Sequence, residues 1–472
     1  MSCNFSVRPI TDPHLIQTDV LIVPASSDEL AKLQLTATKP DAITNVFRPD
    51  GWQAKYVVLW PQDRHQSNVR PHQFRKAHDE LFKHLDTLDF AKVAFTWQWV
   101  ETNWQPYFSA RILDLLQRTY VFLQYKTSPV SKKSITSLEI YADAVKQDTV
   151  AKIKATHLGT TWYRDIANQP ANVCTPDYLA EKALQLAQEY RTITTQILDE
   201  EALAKEGMVT YLAVNRASAL PASMPIMHYR GGVPGDAPIV LIGKGVTFDT
   251  GGISIKTAAN MHGMIYDMCG AACMLGVLKS VAELQLPLNV TVILATAENH
   301  VDGNAYRPGD IYPTKDGQTV EIISTDAEGR LLLCEAMAYA RTLKPKVMID
   351  CATLTGAAIT SLGHVCSGLM ANDQQLAKDL IQAGQSSADY VWQFPLWDEY
   401  MPDLESEHAD WRNSGRNSPG MITAGMFLKN FAHDTPWAHL DIAGTSFHYG
   451  TQNSTTGRPL YLLLEYLNKL NA

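Results

Sequence analysis

Two short segments hold charged residues where an apolar fold would ordinarily exclude them. Residues 243–256 (GKGVTFDTGGISIK) follow a strongly apolar run and carry Lys244, Asp249 and Lys256, and the chain then leads through Asn260 to Asp267 at the start of a helix rich in Gly and Ala. Residues 324–330 (STDAEGR) carry Asp326, Glu328 and Arg330 just ahead of the apolar run that begins at Leu331. Singly, these residues have ordinary explanations. Acidic groups at a helix start cap it and complement its dipole, and Gly251-Gly252 is a plain turn signal. Together, four carboxylates and two lysines among glycines and apolar neighbours would cost several kcal/mol per charge if buried unpaired. A pair of divalent cations is the natural compensation.

Such residues can meet only if the surrounding elements bring them to one edge. In the second part of the chain, strand-like runs at Ile239–Ile242, Val290–Leu294, Val320–Ile323, Val347–Asp350 and His439–Ile442 alternate with helical patterns at Asp267–Leu284, Asp326–Leu343 and Gln374–Ala383. That alternation implies a largely parallel sheet covered by helices on both faces. The turn signal Lys315–Gln318 predicts a hairpin and hence a mixed sheet. Segments that follow strand C-termini line the ligand crevice of such folds, which is where both charged segments fall.

The first part repeats the alternation on a smaller scale, with strand patterns at Asp19–Pro24, Lys55–Leu59, Lys92–Thr96 and Ser137–Tyr141 and helical spacing over Phe108–Phe122. A helical pattern over Thr149–Asn168 stops at Pro170, and Thr175-Pro176 is a start signal for the next helix. The expected organisation is a two-domain α/β protein: a small N-terminal α/β domain (1–148), a linking helix (149–168) and a larger domain (169–472) with a mixed, largely parallel sheet sandwiched by helices.

Composition bounds the function class. The 472 residues are 46% apolar and 19% charged, with a net charge of −9, which excludes a disordered polyelectrolyte. Residues 1–167 carry 20 basic and 17 acidic side chains, and residues 168–472 carry 20 and 32. The acidic larger part is a poor footprint for nucleic acid but a reasonable place for divalent cations. The unbroken apolar runs are far shorter than the roughly 18 residues of a membrane span. The N-terminus lacks the pattern of a secretory signal, and seven cysteines without a C-x-x-C pair suggest neither a disulfide framework nor a thiolate zinc site. A reducing, cytoplasmic setting is expected.

The two segments resemble the signatures of the leucyl aminopeptidase family, the cytosol aminopeptidases with two metal ions per subunit. The resemblance continues through residues 304–310 (NAYRPGD), 352–357 (ATLTGA), 423–428 (TAGMFL) and 437–444 (WAHLDIAG), and so covers roughly residues 165–472. It implies a metal-dependent release of N-terminal amino acids from peptides with a free N-terminus. It also implies Lys244, Asp249, Asp267, Asp326 and Glu328 as metal ligands, with Asp249 and Glu328 bridging. Lys256 and Arg330 are the implied catalytic residues, Arg330 as the holder of a bicarbonate that shuttles the proton. Such an oxygen-rich set suits Mn²⁺ or Zn²⁺ and selects weakly among divalent ions. Lysine ligates only as the neutral amine, so loading is expected to depend on pH. The resemblance further implies a homohexamer.

Two departures stand out. Ser324 occupies a position where the family usually has Asn. The implied substrate pocket is Met264, Thr353, Gly356, Ala443 and Ser446, the last at a position usually filled by Met. A serine there is expected to widen and polarise the pocket, although one methionine is worth only about 1–3 kcal/mol of discrimination. Cys269 and Cys273, one turn apart, read as small core residues, and His262 and His300 match no ligand position. The Trp97, Trp99 and Trp104 segment reads as buried aromatics at strand spacing. Gly243-Lys-Gly245 lacks the spacing of a phosphate loop. Competing classes are a DNA-binding regulator, which the small +3 of residues 1–167 supports poorly, and a phosphoesterase, for which basic residues beyond Lys244, Lys256 and Arg330 are missing near the site.

Overall fold

The computed structural model describes residues 3–9, 11–25, 43–47, 50–61, 70–88, 90–96, 107–128, 135–143, 145–416, 420–448 and 455–471. The Trp97, Trp99 and Trp104 segment lies outside them. The chain divides into two compact units, Met1–His157 and Leu158–Ala472. The division falls inside the helix Gln147–Ala167.

The smaller unit holds strands β1 (Asn4–Arg8), β2 (Val20–Ala25), β3 (Thr44–Phe47), β4 (Tyr56–Pro61), β5 (Lys92–Thr96) and β6 (Ser137–Tyr141) in the order β1-β6-β5-β2-β4-β3. All pairs are parallel except β3 with β4. Among the described residues this unit also holds the helices Pro71–Leu85 and Phe108–Arg118 and the first part of Gln147–Ala167, and the first two bury mainly apolar side chains.

The larger unit is built on an eight-stranded sheet. Its strands are β7 (Ile193–Leu198), β8 (Met224–Arg230), β9 (Ile239–Asp249), β10 (Asn289–Asn299), β13 (Val347–Ala352), β14 (Ser367–Ala371), β15 (Val391–Gln393) and β17 (Trp437–Asp441). Their order is β15-β14-β17-β13-β9-β10-β8-β7. The central run β17-β13-β9-β10 is parallel, and β14 with β17, β10 with β8 and β8 with β7 are antiparallel. Both faces are apolar. Leu241, Val292, Ile349 and Leu440 pack into one core with the helices Cys269–Glu283, Gln374–Ser387 and Leu460–Lys469. Val240, Ile242, Ile293 and Met348 pack into a second with Gly329–Thr342 and Gly420–Ala432. A strand buried on both faces must be apolar at every position, which is why these strands read as continuous runs.

The hairpin forms as expected, from β11 (Ile311–Pro313) and β12 (Thr319–Glu321). It does not belong to the main sheet. With β16 (Trp411–Arg412) it makes a separate three-stranded sheet, so the mixed character of the large sheet comes from its other antiparallel pairs. The helix Pro176–Glu189 begins at the Thr175-Pro176 signal, with Thr175 Oγ1 accepting from the Tyr178 N–H at 3.2 Å. Among the described residues one helical stretch, Ala258–Glu283, is long and apolar enough to cross a membrane. Its most apolar window is 89% buried inside the fold, which marks it as a core element. Cys269 and Cys273 on it are buried free thiols.

Candidate metal centre and substrate cleft

A cleft of about 370 Å³ opens where β9 and β13 end. Strand β9 runs past its neighbour β13, whose last paired residue, Cys351, sits opposite Gly243. Lys244 and Asp249 thereby reach the cleft from the part of β9 that extends past β13, while both remain buried. Neighbouring β10 ends beside it, and a shift of register between Ala297 and Asn299 sets Asn299 opposite Asp249.

The turn after β9 is held by unusual backbone. Gly251 and Gly252 have φ of +86° and +63°, which side chains with a Cβ adopt at a cost. A Cβ on Gly252 would stand 2.8 Å from Thr325 Oγ1. That close approach lets Thr325 Oγ1 donate to the Gly251 carbonyl at 2.6 Å and accept from the Ser254 N–H at 2.8 Å, so the two charged segments are stitched together. Ser324 Oγ accepts from the Asp326 N–H at 3.2 Å, a bond within its own loop.

Asp267 does not begin its helix. It closes the short helical turn His262–Tyr266, and the helix proper starts at Cys269. Asp326 and Glu328 likewise precede the helix Gly329–Thr342, on a loop that leaves the small sheet. Gly329 is required by contact. A Cβ there would stand 2.5 Å from Lys244 Cε, so the lysine stem lies directly across the helix start.

The structure brings Lys244, Asp249, Lys256, Asp267, Asp326 and Glu328 to one end of the cleft. Lys244 Nζ is 2.8 Å from Asp267 and 2.9 Å from Glu328 Oε1, and it donates to the Thr353 carbonyl at 3.0 Å. Lys256 Nζ is 2.7 Å from Asp249 Oδ2 and also pairs with Asp326. One oxygen each of Asp249, Asp326 and Glu328 lie within 4.8 Å of one another. Two further side chains orient the set. Asn299 Nδ2 donates to Asp249 Oδ1 at 2.7 Å, and Thr353 Oγ1 donates to Asp267 Oδ1 at 2.8 Å.

Four carboxylates here face two ammonium groups, with Asp249, Asp267 and Glu328 almost fully buried. The electrostatics follow. Burial, then Glu328 and Asp267, push the Asp249 carboxyl up to about 8. Burial and Glu328 push Asp267 up to about 6 against the pull of Lys244. Burial also opposes ionisation of Glu328, but Lys244 and Lys256 outweigh it and hold this carboxyl low. Burial would lower both lysines, and the carboxylates raise them instead. The donor set, hard oxygens crowded around a negative surplus, fits divalent cations.

Met264, Thr353, Gly356 and Ala443, the residues that the resemblance implies for a substrate pocket, are among those that line the rest of the cleft. Two of the proposed site residues lie elsewhere. Ser446 is fully buried and is not a lining residue; Phe447 lines the cleft in its place. Arg330 is 6% exposed and is not among the lining residues. Its Nε and Nη1 have no hydrogen-bond partner, and burial lowers the guanidinium to about 10. His262 and His300 are exposed and do not line the cleft. Sequence reasoning missed Asn299, Ile359 and Phe447. For Asn299 the one signal in the sequence is its position at the end of an apolar strand; it lies five residues past Leu294, the partner of Gly243, and a register shift brings it opposite Asp249, six past Gly243.

Comparison with known proteins agrees with this geometry. The family described as "Cytosol aminopeptidase family, catalytic domain" matches residues 161–464. A probable cytosol aminopeptidase of Thioalkalivibrio sulfidiphilus is 48% identical over 354 residues, covering 74% of this chain and 71% of the relative. One from Methylobacillus flagellatus is 43% identical over 410 residues, covering 84% and 82%. One from Histophilus somni is 48% identical over 354 residues, covering 74% and 72%.

Proposed function

Because this chain belongs to the cytosol aminopeptidase family and is a metal-dependent exopeptidase acting on peptides, we propose specific roles for its cleft residues. Lys244, Asp249, Asp267, Asp326 and Glu328 would together hold a pair of divalent ions. The observation that carries this reading is the negative surplus of four carboxylates over two ammonium groups at one end of the cleft. A bound pair of divalent ions lowers the pKa of a shared water and polarises the scissile carbonyl.

The residues of the chain supply the rest. Lys244 must lose its proton to ligate, and Asp249 and Asp267 must lose theirs, so loading tightens as pH rises. Lys256, already among the carboxylates, is placed to donate to the carbonyl oxygen as negative charge develops there. Every carboxylate lining the cleft belongs to the ion-holding set, which leaves none free as a general base. Arg330, buried with two N–H groups unpartnered, is suited to hold the bicarbonate that would take that part. Requiring the substrate's free amine at the ion pair restricts cleavage to N-termini.

Mn²⁺ or Zn²⁺ is the proposed loading, the cytoplasm the proposed location, in line with the relatives' names, and a homohexamer the proposed assembly. Sedimentation at about six subunits would support that assembly. A DNA-binding role is not proposed; a gel shift that persists at about 150 mM salt would reverse that judgement. The central test compares leucine amide with its N-acetyl form in the presence of Mn²⁺ or Zn²⁺. Hydrolysis of the free amine alone is expected. No hydrolysis with any divalent ion would overturn the reading, and equal cleavage of both would favour another hydrolase class.

A further inference from the structure

We infer that Phe447 is a specificity-determining residue and that the cleft favours an aromatic N-terminal residue over leucine. This deepens the aminopeptidase reading and rests on it. A serine at position 446 suggested a wide, polar pocket. The structure turns Ser446 inward instead, fully buried beside Cys269 of the core helix, and the adjacent Phe447 forms the wall. Neighbouring residues in a turn point different ways, so the exchange replaces an expected hydroxyl with a ring.

The ring is held in place. Phe447 stacks on Tyr266, with centroids 4.8 Å apart and planes at 19°, and the two are 6% and 3% exposed. Tyr266 belongs to the same helical turn as Met264, which also lines the cleft, and Asp267 follows it directly. Asp267, Met264 and Phe447 all line the one cleft, so a substrate held by its amine at the charged end can extend its side chain toward the Phe447 ring. A ring already fixed by stacking loses little freedom when a second ring joins it.

The remaining walls agree. Outside the six charged residues every lining side chain is uncharged, and Met264, Ile359, Ala443 and Phe447 are apolar. Gly356 leaves open space, with no atom within 4 Å of where its Cβ would stand. Away from its charged end the cleft therefore offers room, apolar surface and an aromatic partner, and among the described lining residues only Asn260, Thr353, Thr355 and Thr360 add polar groups there.

The test measures kcat/KM for phenylalanine, leucine and alanine amides with Mn²⁺. The wild-type phenylalanine-to-leucine ratio is expected at about two- to tenfold, the range of an aromatic pair. Phe447→Leu should bring that ratio to about one, and Phe447→Tyr, which keeps the ring, should retain it. A wild-type ratio at or below one overturns the inference, whether or not the variants fold, and so does an unchanged ratio in Phe447→Leu. Calorimetric affinities of L-phenylalaninol and L-leucinol read the same pocket without turnover. Failure to hydrolyse any amide defeats the aminopeptidase reading, whereas equal affinity for the two amino alcohols defeats this inference alone.

Discussion

Glu328 and Glu335 stand two turns apart at one helix, both almost wholly buried, and their surroundings are opposite in kind. Glu335 accepts from the Thr210 N–H at 3.1 Å, the Thr210 hydroxyl at 2.6 Å and the Lys315 N–H at 2.8 Å. These are neutral donors from the fold itself, and burial pushes the carboxyl up to about 7. Glu328 sits beside two lysines and among three other carboxylates, open to a cleft. A buried acid whose donors are all supplied locally ties elements together. One that shares a surplus of like charge is arranged to meet something from outside. Burial alone distinguishes nothing; the balance of charge does.

The sharpest way to break this contrast is to neutralise each glutamate. Glu328→Gln should lower kcat/KM by more than about a thousandfold, reduce bound metal and lower thermal stability as well, because it removes the buried carboxylate that pairs with Lys244 at 2.9 Å. Full activity with full metal content, read by elemental analysis, would remove Glu328 from the ion-holding set. Next in size is Lys256→Met, for which kcat should fall by about 10²–10³ with KM little altered, since its donation matters as charge develops. A rise in KM with kcat preserved would instead make Lys256 a substrate-binding residue.

A smaller effect is expected from Gly329→Ala. The added Cβ meets the Lys244 stem, which must shift, and activity should fall by about tenfold to a hundredfold with weaker metal binding. Unaltered metal affinity would show that the lysine can move aside freely. Smallest in activity is Glu335→Gln, whose turnover should remain near that of the wild type. Its effect is on stability against pH. A carboxyl at about 7 in the fold against 4.5 in the free chain favours folding when protonated. That contribution is complete below about pH 4.5, is lost as pH rises to about 7, and amounts to roughly 3 kcal/mol. Thermal melts across this range should show the slope in the wild type and a flatter one in the variant; parallel slopes would assign it to other groups.

Much of this was readable in the sequence where chemistry and pattern coincide. Lys244, Asp249, Lys256, Asp267, Asp326 and Glu328 stand out because charge is rare in runs that otherwise satisfy both faces of a buried sheet, and all six line one cleft. The central strands were visible for the same reason. Edge strands such as β7 and β15 were not, since short half-exposed segments carry weak patterns. The hairpin was seen, but its separation from the main sheet depends on pairing with β16, about ninety residues later in the chain, which no local signal encodes.

The sequence by itself determined which side chains carry charge and that they follow apolar strands, because local patterning records burial and polarity. Only the tertiary structure decided that Asn299 lies opposite Asp249, that Arg330 is buried and not part of the cleft lining, and that Phe447 forms the wall while Ser446 is buried. Strand register and the direction of a side chain in a turn are set by contacts between residues distant in the chain, and a change of one position reverses which way a side chain faces.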